Sequence, residues 1–144
     1  MKLKDFDFRV WNNNSKTYEA GSIIESLGFI TSVFNQLTYE KPTIDYEIEL
    51  FTGFYDKNGK KIYEGDILEN KEFEEFYLIT RNDIVYNILE IAIYRKNIKG
   101  QLYKYKKNAD ISFFKSIPSS KYMEIVGNIN VIKDLLEETN ESKS

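Results

Sequence analysis

Residues 50–68 read Leu50-Phe51-Thr52-Gly53-Phe54-Tyr55-Asp56-Lys57-Asn58-Gly59-Lys60-Lys61-Ile62-Tyr63-Glu64-Gly65-Asp66-Ile67-Leu68. Strand-forming residues run up to Tyr55, stop at a polar six-residue segment, and resume at Ile62. Within that segment Asn58-Gly59 can supply the positive φ angles of a tight hairpin turn, so Ile62-Tyr63 is expected to fold back on Phe54-Tyr55. Glu64-Gly65-Asp66 then reads as a second sharp bend into a strand at Ile67-Leu68-Glu69. Gly53, Gly59 and Gly65 sit where the chain must bend, and Asp56 and Asp66 can each accept hydrogen bonds from their own turn backbone. The block reads as architecture: closely spaced strands joined by sharp turns.

Outward from this block the same period of two recurs. Upstream, Ile44-Asp45-Tyr46-Glu47-Ile48-Glu49-Leu50 alternates cleanly. Phe6-Asp7-Phe8-Arg9-Val10-Trp11 puts Phe6, Phe8 and Val10 on one face, with a turn at Asn12 to Ser15 and a partner strand at Thr17-Tyr18. Trp11 reads either as partly buried core or as one wall of a peptide groove. Downstream, strands are expected at Phe76 to Thr80, Ile84 to Tyr94, Gln101 to Lys106, Ile111 to Phe114 and Tyr122 to Gly127. Turns are expected at Asn82-Asp83, Asn97 to Gly100 and Pro118-Ser119. Segment 23–34 stays open: its apolar spacing is roughly helical, while Gly28, Thr31 and Val33 favour strand. Asn130 can cap a helix over 130–140 with Val131, Ile132, Leu135 and Leu136 as its apolar stripe. The expected fold is mainly β, a small barrel or sandwich of short antiparallel strands with a short C-terminal helix.

At 144 residues one domain over 1–144 is expected: N-terminal strands and the open segment in 1–40, a barrel-like core in 41–129, and the helix in 130–140. Ser26 to Tyr39 is too short and too polar to span a bilayer, and the N-terminal residues lack a secretory apolar region, so a cytoplasmic protein without membrane contact is expected. The chain has no cysteine and no histidine. That removes thiolate chemistry, disulfides and every Ser-His or Cys-His arrangement, and leaves the expectation of a non-enzyme without cofactor.

The net charge of −3 hides a segregation. Residues 40–75 carry 11 acidic and 5 basic side chains, whereas residues 95–121 carry 8 basic and 1 acidic. Within the basic part, Arg95, Lys96, Lys99, Lys104, Lys106 and Lys107 interleave with Tyr103 and Tyr105, a pattern able to neutralise phosphates and stack on bases. Read as a hairpin around Asn97 to Gly100, Lys104 and Lys106 share one face and Tyr103 and Tyr105 the other. With the tyrosines facing the core, the lysines would be a solvated strand face. Otherwise they form a surface for nucleic acid or another acidic partner, or for the acidic region of a neighbouring subunit in a homo-oligomer. Glu69, Glu72, Glu74 and Glu75 lack the spacing of a calcium loop, and no metal site is expected from them.

Three segments together resemble the YopX family of phage and prophage proteins: Phe8-Arg9-Val10-Trp11-Asn12 with Lys16-Thr17-Tyr18, the block 50–68, and Glu124-Ile125-Val126-Gly127-Asn128-Ile129. The middle block carries most of the likeness. The chain departs from the family pattern after Asn130, where Val131-Ile132 replaces the family's Pro-Glu step. The resemblance implies a mostly β protein of the bacterial cytoplasm and no particular reaction. The function expected is a non-enzymatic binding module for a host or phage protein, with a nucleic-acid-binding accessory protein using residues 95–107 as the alternative.

Overall fold

The computed structural model describes residues 1–19, 21–36, 45–82, 84 and 88–130. The fold is mainly β, built of antiparallel sheets that include a half-barrel, with short helices toward the C-terminal end. The chain divides into two compact units, Met1–Phe51 and Thr52–Ser144, where one domain with an internal boundary at 40/41 was expected. Each unit is described by itself.

In the first unit β1 (Phe8–Asn12) pairs antiparallel with β2 (Thr17–Tyr18) on one side and with the first half of β3 (Tyr46–Tyr55) on the other. The turn between β1 and β2 is held by Asn12, whose Oδ1 accepts the amides of Asn14 and Ser15 at 2.8 and 3.1 Å. Phe8 and Val10 are buried as the alternation requires, but Trp11 is buried too, so both faces of β1 are covered and the tryptophan is core. The register sets Arg9 opposite Glu49, and Arg9 Nε donates to Glu49 Oε1 at 2.6 Å while Tyr18 Oη donates to the same oxygen at 2.9 Å. This satisfies a buried carboxylate that would otherwise cost several kcal/mol to desolvate.

The open segment is a helix, α1 (Ile23–Gln36). Its start is fixed by Ser22, whose Oγ accepts the Glu25 amide at 3.2 Å, while Glu25 Oε2 accepts the Gly21 amide at 3.0 Å. That Ser-x-x-Glu exchange satisfies two donors that a bare helix end leaves orphaned. Thr31, which favours strand by propensity, and Ser32 return their hydroxyls to the carbonyls of Leu27 and Gly28. Ser26 is buried, Phe29 and Val33 are half-buried along the same side, and Phe29 meets Tyr46 edge-on at 5.0 Å.

In the second unit the rest of β3 pairs with β4 (Lys61–Tyr63). A larger sheet runs in the order β10-β5-β6-β7-β8, made of β5 (Asp66–Asn70), β6 (Glu75–Arg81), β7 (Leu89–Lys96), β8 (Leu102–Lys104) and β10 (Glu124–Asn128). A two-residue strand, β9 (Ala109–Asp110), pairs with β7 as well. Both faces of this sheet are covered. Leu68, Tyr77, Ile79, Ile91 and Ile93 pack with Ile62, Phe114 and Met123 on one side. Ile67, Phe76, Leu78, Ala92, Tyr94 and Leu102 pack on the other. This is why runs such as Phe76-Tyr77-Leu78-Ile79 are continuously apolar.

The turn at 56–60 differs from the expected one. Only Gly59 has positive φ, at +78°, and its amide donates to the Asp56 carbonyl at 3.0 Å. This is a type I turn closed by a left-handed glycine, the three-residue hairpin loop, and Asn58 needs no unusual backbone. Asp56 holds it together. Its Oδ1 accepts the amides of Asn58 and Lys60, both at 2.9 Å, and its Oδ2 reaches across to accept the Ile125 amide of β10 at 3.2 Å. The carbonyl of Met123 meanwhile accepts the Lys57 amide at 2.8 Å. Asp66 does the smaller version, accepting the Tyr63 amide at 2.8 Å, while Gly65, at φ +88°, donates to Ile79 O and accepts from Ile129 N. Glu64 clamps Arg81 of β6 with both carboxylate oxygens.

Four expectations change. Ile84 is exposed and outside any strand, and β7 begins at Leu89, with 85–87 outside the described residues. The strand expected over Gln101 to Lys106 is reduced to Leu102–Lys104. The strand expected at Ile111 to Phe114 is instead the short helix α2 (Phe113–Ser116): Asp110 Oδ1 accepts the Ser112 amide at 2.7 Å, turning the chain, and Ile111, Phe114 and Ile117 follow helical spacing into the first core. Ser119–Tyr122 forms a further short helix, α3, so β10 starts at Glu124 and not at Tyr122. Beyond Asn130 the expected helix 130–140 lies outside the described residues.

Asp56→Ala removes the acceptor of three backbone amides and is expected to cost about 3 kcal/mol in urea unfolding, with Asp56→Asn costing less. Gly59→Ala is expected to cost about 1–2 kcal/mol from backbone conformation alone, since a Cβ there meets nothing within 4 Å. An Asp56→Ala midpoint equal to wild type would contradict this account of the block.

Candidate functional site

The register of β5, β6, β7 and β8 brings two hairpin turns, residues 71–74 and 97–100, to the same end of the second unit's sheet. Both are closed by an asparagine. Asn70 Oδ1 accepts the amides of Glu72 and Phe73 at 3.1 and 3.3 Å. Asn97 Oδ1 accepts the amide of Gln101 at 2.9 Å, with Gly100 at φ +81° donating to Asn97 O. The second turn thus repeats the construction at 56–60. The first is closed by Glu74 at φ +55°, a left-handed conformation that costs a non-glycine residue about 1–2 kcal/mol.

Acidic and basic stretches that are separate in sequence become neighbours here, because β6 pairs with β7. Glu75 shares the phase of Tyr77 and Ile79 and therefore points to an apolar face; it is buried, at 3% exposed. Its Oε1 accepts the Tyr77 hydroxyl at 3.0 Å. Its Oε2 lies 3.6 Å from the Arg95 guanidinium and 3.7 Å from the Lys106 ammonium. Neither approach is a hydrogen bond, and Glu75 Oε2 and Arg95 Nε are buried without a hydrogen-bonding partner. Burial first, and then the adjacent Glu75 charge, push the Tyr77 phenol above its ordinary pKa of 10.0.

The expected site residues do not form one surface. Tyr103 and Tyr105 do not enter the core; the core residue of β8 is Leu102. Tyr105 is exposed, with the Arg95 guanidinium 3.8 Å from its ring centre and the Lys106 ammonium 5.1 Å away. Tyr103 is half-buried and, with Glu69, Lys71, Glu74, Phe76, Arg95 and Lys96, lines a cleft of about 490 Å³ between the two turns. The Lys96 ammonium sits over the Phe76 ring at 5.0 Å. Lys104 is exposed and adds to the field that, after hydrogen bonds from Asn108 and Asn82, holds the Glu90 carboxyl below its usual range. Lys99 and Lys107 are exposed. Of the turn residues, Asp56, Asn58, Gly59, Gly65 and Asp66 belong to the turns described above, whereas Gly53, at φ +87°, lies inside β3 and not at a turn.

Among the described residues no group of three acidic side chains is arranged to hold a metal ion, and no helix is long and apolar enough to cross a membrane.

Sequence reasoning missed the part played by Glu75 and the two exposed apolar residues of the turns, Phe73 and Ile98, at 46% and 106% exposure. The signal for Glu75 was present: a carboxylate at period two from Tyr77 and Ile79 falls on a core face and needs a partner there.

A family model described as YopX protein matches residues 7–137. No curated protein matches the chain.

A phenol whose folded pKa is raised stabilises the fold below pH 10, where it is protonated in both states, and that stability drains as the unfolded chain ionises above it. Wild type is therefore expected to lose stability steeply between about pH 10 and 12, and Tyr77→Phe to flatten that slope. At neutral pH the same variant is expected to cost about 1 kcal/mol through the lost bond to Glu75. Parallel urea midpoints across the alkaline range would contradict the placement of Tyr77 beside a charged Glu75.

Proposed function

We propose that this chain, which belongs to the YopX protein family, acts as a non-enzymatic binding module of phage or prophage origin. It recognises a protein partner in the bacterial cytoplasm through the two hairpin turns and the cleft between them. The observation that carries this reading is that three cations of the basic stretch are engaged within the chain. Arg95 and Lys106 face the buried Glu75, and Lys96 lies over Phe76. A nucleic-acid groove needs cations free to displace counterions along a backbone and aromatic faces free to stack. Here the Tyr105 ring already carries Arg95 and Lys106 where a base would lie. A cleft lined by Glu69 and Glu74 as well as by Lys71, Arg95 and Lys96 presents both signs of charge at once, which suits a protein surface and repels a polyanion. Exposed Phe73 and Ile98 beside it supply apolar contact of the kind that anchors protein interfaces.

Fluorescence anisotropy with short single- and double-stranded DNA and RNA at low salt is expected to show no saturable binding. Salt-steep binding that is lost on reversing Lys104, Lys106 and Lys107 would favour the nucleic-acid alternative instead. A photo-crosslinking residue at Tyr103 is expected to give one discrete protein adduct in host cells.

A further inference from the structure

Resting on the reading of this end of the sheet as a protein-contact surface, we infer that its partner is a second copy of the same chain. The two copies join about a two-fold axis, so that the acidic turn of each meets the basic turn of the other. The charges left over after the internal pairs are accounted for carry the inference. Arg95 and Lys106 share the single carboxylate of Glu75, which leaves one positive charge there. What remains exposed on the first turn is Lys71, Glu72 and Glu74, net −1, and on and beside the other Lys96 and Lys99, net +2. Glu72, Glu74 and Lys99 make no ion pair among the described residues. The two turns therefore carry opposite residual charge, and they stand side by side because β6 and β7 are hydrogen-bonded neighbours.

Such a surface is self-complementary. A two-fold rotation passing between the turns exchanges them, so one operation forms two identical acid–base contacts and closes the assembly. A head-to-tail contact would satisfy only one turn per molecule and leave the other charged and open. Each turn also carries one exposed apolar residue, Phe73 on the acidic one and Ile98 on the basic one. The same rotation brings Phe73 of one copy toward Ile98 of the other, removing from water two side chains that a monomer leaves exposed. Opposite residual charges steer this association and set its register, while the apolar pair supplies the contact that remains when salt screens the charges. The turns are held by Asn70 and Asn97, so little ordering is left for association to impose. The contact is small, and a dissociation constant of order 10–100 µM is expected of it.

Sedimentation velocity on the full chain tests this. The wild type is expected to shift with concentration from 17.0 kDa toward twice that mass. Its dissociation constant is expected to rise about tenfold between roughly 0.05 and 0.5 M salt. The double reversals Glu72→Lys with Glu74→Lys, and Lys96→Glu with Lys99→Glu, change exposed side chains only, so both should fold as wild type by circular dichroism. Each alone is expected to stay monomeric, because like now faces like. An equimolar mixture of the two is expected to recover the double mass, since every turn again meets its opposite. A wild type that stays monomeric at about 1 mM chain, or a mixture that fails to recover, overturns the inference. A photo-crosslinking residue at Ile98 separates the two levels of reading. An adduct with a second copy supports both, an adduct with a different protein overturns only the self-association, and no protein adduct overturns both.

Discussion

One carboxylate organises the second unit. Asp56 accepts two amides of its own turn and one from Ile125, so it closes a hairpin and fastens β10 to it in the same act. Because it is 2% exposed, these bonds are shielded from water and from competing solvent donors. Everything after the turn inherits that fixing: the Lys57 amide donates to the Met123 carbonyl, Ser119 reaches the Tyr55 carbonyl, and β10 enters the sheet beside β5, with a register shift between Ile125 and Gly127. Gly59 and Gly65 allow the backbone geometry, and Asp56 and Asp66 supply the bonds that make it the preferred one. The block 50–68 is on this view a structural joint.

The turns at 71–74 and 97–100 take no part in this joint, and the chemistry beside them is correspondingly different. There the carboxylate that matters, Glu75, is held by two cations at distances beyond hydrogen bonding, and polar atoms remain without partners. Buried charge of this kind adds little to stability, because desolvation offsets most of the attraction. What it does is fix where Arg95 and Lys106 point, and so decide which charges face outward. The turns at 71–74 and 97–100 display the remainder.

Much of the β architecture was legible in the sequence. The strand over 46–50 and the hairpin at Asp-Lys-Asn-Gly both form, but Glu49 is buried and Ile48 exposed against the alternation, and only Gly59 takes positive φ in the turn. The helix over Ile23–Gln36 was hidden because Gly28 and the β-branched residues lower its propensity, while the cap at Ser22 and Glu25 outweighs them. The helix at Phe113–Ser116 was hidden because a four-residue element shows too little periodicity to separate from a strand, and Asp110 decides it from outside. The charge pattern was legible as composition and misleading as geography. Strand pairing places the acidic and basic stretches together, and no reading along the chain reveals that β6 will lie against β7. For the same reason the basic residues were recognised while Glu75, which governs two of them, was not.

Amide hydrogen exchange, read residue by residue, tests the division between joint and display most directly. Asn58, Lys60 and Ile125 are expected to exchange together and among the slowest amides, because one buried carboxylate holds all three, while Lys99 and Gly100 exchange orders of magnitude faster. If Asn58 and Lys60 exchanged rapidly and independently of Ile125, Asp56 would not be the joint, and the reading of the signature block as architecture would fail.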